Sequence, residues 1–173
     1  MKLLSIVFSF KNEEKNLLEL IERTAKSLSE LASWKYEMIF VNDCSTDKSE
    51  EILLKLQTKY PIRIVNMSRN FGVGPCVLAG FKLAKGDAIV YIDSDLQDPP
   101  EIIKELVKEH ENGAEVVHTV RTKRLGESKV KMFLTLAAYK IINFFSDIPL
   151  HVNAGDFKLI SRKALDKILE LNE

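Results

Sequence analysis

Apolar runs and stretches of helical period alternate along the chain. Leu3–Phe10 reads as an apolar strand, and a helix is expected over about Glu13–Leu31. Tyr36–Val41 is the second strand, after which Asp47 opens a helix with Glu50 at the spacing of a capping box. Ile62–Met67 is the third strand, and Pro75 suits the first turn of a helix reaching Lys85. Ala88–Ile92 is the fourth. Asp98-Pro99-Pro100-Glu101 then supplies an N-cap, proline at the first helical position and an acid at the third. Glu115–Val120 is the fifth strand. Strands apolar on both faces and separated by helices predict parallel βαβ units in an α/β domain, with a mostly parallel Rossmann-like sheet flanked by helices.

The last third changes character. Arg121–Lys131 is polar and basic, and Met132–Phe145 is apolar with helical spacing. That segment suits either a core helix or an amphipathic one at a membrane surface, where Lys129, Lys131 and Lys140 would meet headgroups. Asp156–Ile160 reads as a late strand before a final helix from Arg162. No run approaches the roughly 20 apolar residues that span a bilayer. No internal repeat or linker marks a second domain.

Composition narrows the class. The 173 residues suit one domain, and 46% hydrophobic content excludes a disordered or collagen-like chain. The 25 basic and 25 acidic side chains cancel, so global charge predicts no nucleic-acid partner. Local clusters must carry any anion binding. Asp87 to Glu101 holds acids without Lys or Arg, whereas Arg121 to Lys131 is mostly basic. Cys44 and Cys76 lack the spacing of a zinc or redox pair and read as reduced thiols of a cytosolic protein. The first residues lack a cleavage site and lead straight into Asn12-Glu13-Glu14, so they read as a strand and not a signal peptide.

In open parallel sheets, ligands sit at the carboxyl ends of the strands. Asn12-Glu13, Asn42-Asp43 and Asp93-Ser94-Asp95 all fall there. In an extended chain Asp93, Asp95 and Gln97 would face one way. Hard cations such as Mg²⁺ or Mn²⁺ take one or two carboxylates together with a substrate diphosphate. An isolated acid-x-acid motif is common by chance, but the run Ile89–Pro100 is far more specific.

With that run, the chain resembles the family 2 glycosyltransferases of GT-A fold, in their polyprenyl-phosphate branch. The matching stretches are Phe10–Glu14, Phe40–Asp47, Ser68–Gly72, Asp93–Glu101, Arg121–Ser128 and Gly155–Leu159. The resemblance implies a metal-dependent inverting transfer from a nucleotide-diphospho-sugar donor to a polyprenyl-phosphate acceptor. It implies that Phe10, Asn12, Glu13, Asp43, Ser45, Asp93 and Ser94 bind the nucleotide, with Glu13 and Asp43 at the ribose and base. Asp93, Asp95 and Gln97 would hold Mg²⁺ or Mn²⁺ at the diphosphate, and Asp95 would serve catalysis. Arg121, Arg124 and Ser128 would hold the acceptor phosphate, Arg121 also acting in catalysis through a guanidinium fork that suits phosphate oxygens. Asp156, in Gly-Asp-Phe, would be a catalytic or acceptor-positioning carboxylate.

Two departures stand out. The family commonly has Pro-x-Tyr where this chain has Ser9-Phe10-Lys11, and Cys44 stands where glycine is usual. Relatives continue past the Gly-Asp-Phe region, so the chain is expected to be one truncated GT-A domain of a longer enzyme at the cytoplasmic face of the membrane. Two other readings compete. A fragment of this kind would bind nucleotide without turning over. Gly72-Val73-Gly74 before a helix would suit a dinucleotide-dependent oxidoreductase, although Val77 occupies the place of the third glycine. The pattern leaves the sugar, the base and the oligomeric state open.

Overall fold

A computed structural model describes residues 1–120 and 154–171. The expectations for Arg121, Arg124, Ser128 and Met132–Phe145 lie outside these residues. The chain groups into two compact units, Met1–Val117 with Asp156–Glu173, and His118–Gly155. The description below concerns the first unit, together with the strands that lead out of it. Among the described residues no helix is long and apolar enough to cross a membrane.

Six strands form one sheet in the order β3-β2-β1-β4-β6-β5. They are β1 (Lys2–Phe10), β2 (Trp34–Asn42), β3 (Ile62–Asn66), β4 (Ala88–Tyr91), β5 (Val116–Val120) and β6 (Ala154–Ser161). The helices are α1 (Leu17–Ser29), α2 (Ser49–Leu56), α3 (Val73–Leu83), α4 (Ile103–Glu111) and α5 (Arg162–Glu170). The expected parallel sheet is present across β3, β2, β1 and β4. The late strand β6 runs antiparallel to β4, with Tyr91 opposite Lys158.

Strand β1 is central and buried on both sides, which the period of two makes explicit. Leu4, Ile6, Phe8 and Phe10 face a core built with Met38, Phe40 and the inner sides of α1 and α4. The Phe8 and Phe40 rings stack at 4.4 Å between centroids. Val7, with Ile39, Val41, Ile89 and Tyr91, faces the second core, closed by Cys76 and Phe81 of α3 and Leu165 of α5. Each fully buried large apolar side chain contributes about 1.5–3 kcal/mol relative to exposure.

The helix starts differ from the expected ones, for local reasons. Residues 13–16 form a turn and α1 begins only at Leu17, because the backbone at Asn12 is left-handed, at φ 59°. Asp47 stands one residue before the N-cap position of α2, which falls on Lys48. Its Oδ1 accepts the Ser49 N–H at 3.0 Å and its Oδ2 the Glu14 N–H at 3.1 Å, while Glu50 receives the Asn66 amide at 2.6 Å. The proline-led start comes one residue later than expected, with Pro99 as cap and a 3₁₀ turn over Pro100–Ile102 before α4. The final helix begins at Arg162 as expected, capped by the Ser161 hydroxyl, which accepts the Ala164 N–H.

Helix α3 lies against the sheet at Gly80. A methyl group there would sit 2.3 Å from Val7 Cγ1 and 3.3 Å from Val41 Cγ2, both on stiff β-branched side chains. Gly80→Ala is therefore expected to lower unfolding stability by about 1–3 kcal/mol, the usual penalty for overpacking. Urea denaturation of the variant checks this; unchanged stability would show that α3 is free to shift.

Candidate active site

The parallel register places three loops side by side. Phe10 pairs with Asn42 across β1 and β2, and Val7 pairs with Tyr91 across β1 and β4. The segments that follow these strands open onto a cleft of about 340 Å³. Among the described residues it is lined by Ser9, Phe10, Lys11, Glu13, Asp43, Val73, Cys76, Asp93, Ser94 and Asp95. Four carboxylates thus share the cleft with one lysine.

Five of the expected nucleotide-binding residues line it: Phe10, Glu13, Asp43, Asp93 and Ser94. Asn12 and Ser45 do not, being engaged in joining two loops. The Ser45 hydroxyl accepts the Asn12 N–H at 3.0 Å, and Asn12 Oδ1 accepts the Thr46 N–H at 2.8 Å. The Ser49 hydroxyl accepts the Glu13 N–H at 2.9 Å, and Glu14 accepts the Lys48 N–H at 3.0 Å. The loops after β1 and β2 are one hydrogen-bonded unit.

Asp43 is 7% exposed and binds the segment leading into α3. Its Oδ1 accepts the Phe71 N–H at 2.7 Å and its Oδ2 the Gly72 N–H at 3.0 Å. Gly72 has φ 85°, a conformation that favours glycine. Burial pushes the Asp43 carboxyl up, but these two amides and the Cys76 thiol outweigh it and hold the group below the usual range. In return, burial and the neighbouring Asp43 push the Cys76 thiol up to about 11.

At the end of β4 the chain turns instead of staying extended, with Leu96 left-handed at φ 60°. Asp93 and Asp95 still reach the cleft, but through a turn and not through strand alternation. Gln97 does not line the cleft; its N–H donates to Asp95 Oδ1 at 3.0 Å. Burial pushes the Asp93 carboxyl up, and the charges of Asp95, Asp156 and Asp98 add to that, against a hydrogen bond from Tyr91. Asp156, exposed near the start of β6, is thus an electrostatic neighbour of Asp93.

This donor set suits a hard cation. Among the described residues no group of three or more acidic, histidine or cysteine side chains converges on one point. Asp93 and Asp95 would supply one or two oxygens, and a diphosphate and water the remainder, as Mg²⁺ commonly takes them. The crowding of carboxylates around Asp93 is the charge pattern that a divalent ion relieves.

The model of the glycosyl transferase family 2 matches residues 5–169. The chain belongs to that family. Curated relatives include an uncharacterized glycosyltransferase of Synechocystis, 43% identical over 98% of this chain and 54% of its own length. The prophage bactoprenol glucosyl transferase homolog of Escherichia coli is 36% identical over 95% of this chain and 54% of its own. The chain spans about half the length of the curated relatives it matches. Solved structures share the architecture. Glucosyl-3-phosphoglycerate synthase of Mycobacterium tuberculosis, solved with Mn²⁺, UDP and phosphoglyceric acid, superposes with a TM-score of 0.63 over 94% of this chain and 56% of its own, at 23% identity. TarS of S. aureus, solved with UDP-GlcNAc, gives 0.57 over 74% and 36%, at 26% identity. The fold is GT-A, as the motif resemblance implied.

In this family 2 domain the glycine pair at the start of α3, Gly72 as its cap and Gly74 in its first turn, makes a poor dinucleotide site. The Gly72 amide is already bound by the Asp43 carboxylate, which would repel a pyrophosphate. Sequence reading missed Ser9, Lys11, Val73 and Cys76 as lining residues. The available signal was polarity: Ser9 interrupts a buried apolar strand and needs a partner.

Asp43→Ala leaves the Phe71 and Gly72 amides and the Cys76 thiol without their acceptor. A stability loss of about 1–3 kcal/mol is expected at pH 7 from those unmet donors. The folded carboxyl sits below its unfolded value, so its charge stabilises fully above about pH 4 and the benefit fades as pH falls through the folded value. The gap between wild type and variant should narrow on acidification to pH 3, and maleimide labelling of Cys76 should quicken at pH 7. Parallel urea curves at the two pH values and timed labelling check both.

Proposed function

We propose that this domain is the catalytic core of a metal-dependent, inverting glycosyltransferase. It would move a sugar from a nucleotide-diphospho-sugar to a polyprenyl phosphate at the cytoplasmic face of a membrane. One observation carries the reading: Asp93 and Asp95, from the end of β4, share a cleft with Phe10, Glu13 and Asp43, from the ends of β1 and β2. A nucleotide laid along those loops brings its diphosphate to the β4 turn. An anionic donor enters a cleft lined by four carboxylates only with a counter-cation. Mg²⁺ or Mn²⁺, when bound, would neutralise charge developing on the leaving diphosphate.

The protein's own groups divide the work. Phe10, 3% exposed, would back the nucleotide end of the cleft from the core, and Glu13 would offer a carboxylate to the ribose hydroxyls. Asp93 and Asp95 hold the metal–diphosphate end, and Ser94 is 4% exposed with its hydroxyl donating to the Ser9 carbonyl at 2.9 Å. Asp156, whose charge acts on Asp93, would position the acceptor, which is already an anion at neutral pH and needs little deprotonation. Arg121, Arg124 and Ser128 would bind the acceptor phosphate. Relatives named bactoprenol glucosyl transferase, 34–36% identical, support a polyprenyl acceptor.

Calorimetry with UDP, GDP and dTDP, each with Mn²⁺, is expected to show binding of at least one. Asp95→Ala should abolish the metal-dependent part. No binding of any of the three, or full Mn²⁺ dependence in the variant, overturns the assignment. A second reading, a nucleotide-binding piece that turns over poorly, follows from the roughly half-length match to the relatives. Sugar transfer to a short polyprenyl phosphate, assayed with this chain and with a longer one, separates the two.

A further inference from the structure

Asp93 is held by a chain of hydroxyls. Tyr91 Oη donates to Asp93 Oδ1 at 2.6 Å, and Ser9 Oγ lies 3.0 Å from Tyr91 Oη. An ionised carboxylate only accepts, so the single phenolic proton goes to Asp93. The Ser9 hydroxyl must then donate to Tyr91, which sets the direction Ser9 to Tyr91 to Asp93. Both donors are buried, Tyr91 at 3% and Ser9 at 7% exposure, so bulk water offers little competition. Hydrogen bonds in such a chain polarise and strengthen one another. The sheet supplies the geometry: Val7 pairs with Tyr91, Ser9 lies two residues further along β1, and Asp93 lies two residues past the end of β4. Phe81 meets the Tyr91 ring edge-on at 6.4 Å and limits its swing.

Asp93 needs such a hold. Asp95, Asp156 and Asp98 all repel its charge, and an untethered carboxylate would turn away from them. Ser9 stands at the proline position of the Pro-x-Tyr pattern, and proline carries no side-chain donor. The relay therefore belongs to this chain's own residues and not to that pattern.

We propose that Tyr91, backed by Ser9, is a positioning residue that pins Asp93 Oδ1 and so fixes the carboxylate in the rotamer that receives the metal–diphosphate end of the donor. The inference rests on the donor site proposed above. Groups that orient a metal-binding carboxylate typically change metal affinity by about 10–100-fold when removed. Tyr91→Phe keeps the ring and its packing and deletes the hydroxyl, which is the donor to Asp93 and the acceptor of the Ser9 proton.

The test is calorimetric binding of UDP, GDP and dTDP, each measured with Mn²⁺ and with EDTA. For the nucleotide that wild type binds, Tyr91→Phe should weaken the Mn²⁺-dependent part about 10-fold and leave the EDTA value unchanged. Ser9→Ala should weaken it less, in the same direction, because Tyr91 still donates to Asp93. Ile89→Val, a change in the same buried core, should lower the melting temperature without altering Mn²⁺ dependence. Unchanged or tighter Mn²⁺-dependent binding in Tyr91→Phe overturns the positioning role. So does an equal loss with Mn²⁺ and with EDTA. If wild type binds none of the nucleotides, the donor site itself fails and the positioning role falls with it, a result distinct from either of these.

Discussion

The site depends on the pairing of β1 with both β2 and β4. Each pairing is parallel, so the three strands end at one edge of the sheet, and the residues beyond them have no choice but to meet. A slip of one residue would exchange the two faces of β1. It would carry Phe8 out of its stack on Phe40, and Ser9 away from Tyr91. The register is held because both faces of β1 are buried and differ in kind: wholly apolar towards α1 and α4, and mixed with Ser5 and Ser9 towards α3. The serines are satisfied there, Ser5 by donating to Glu37 and accepting the Gly86 N–H, each within 2.8 Å.

The same edge separates two carboxylates by environment. Asp43 is surrounded by donors that hold its carboxyl below the usual range, whereas burial and neighbouring acids push the Asp93 carboxyl up. One acid holds protein backbone, and the other stands among like charges with the Tyr91 hydroxyl donating to it. Divergent environments of this kind mark functional carboxylates more often than structural ones. A cation is the simplest group that relieves Asp93 while leaving Asp43 as it is.

The strands were legible because apolar runs of the right length alternate with helical periods, and α3 and α5 followed from Pro75 and Arg162 with small shifts. The loops were not. Asn12, Asp47 and Ser45 carry side chains that suit caps and ligands, and which role each takes depends on a loop more than 30 residues away in sequence. The antiparallel return of β6 beside β4 leaves no trace in periodicity, although it brings Asp156 within electrostatic reach of Asp93. Cleft residues such as Glu13 and Asp43 were found through motif resemblance. Ser9 was marked only as a departure from the Pro-x-Tyr pattern, and Tyr91 was read simply as core strand.

The departure at Cys44 shows why motif and geometry need not coincide. Its backbone is left-handed at φ 62°, as are Asn12 and Leu96, and all three lie in segments that follow cleft-forming strands. Such conformations cost about 1–3 kcal/mol each and persist where the surroundings over-determine them. Around Cys44 they do. The Asp43 N–H donates to the Phe10 carbonyl at 2.9 Å, the Ser45 N–H to Asn42 Oδ1 at 2.8 Å, and the Ser45 hydroxyl accepts from Asn12. The residue at position 44 therefore does not decide the shape of the turn; its neighbours impose it. Glycine would ease the strain there without being needed to form the site. By the same logic, the loops proposed to hold a donor are tied together by the protein's own hydrogen bonds, which would lower the ordering cost of binding.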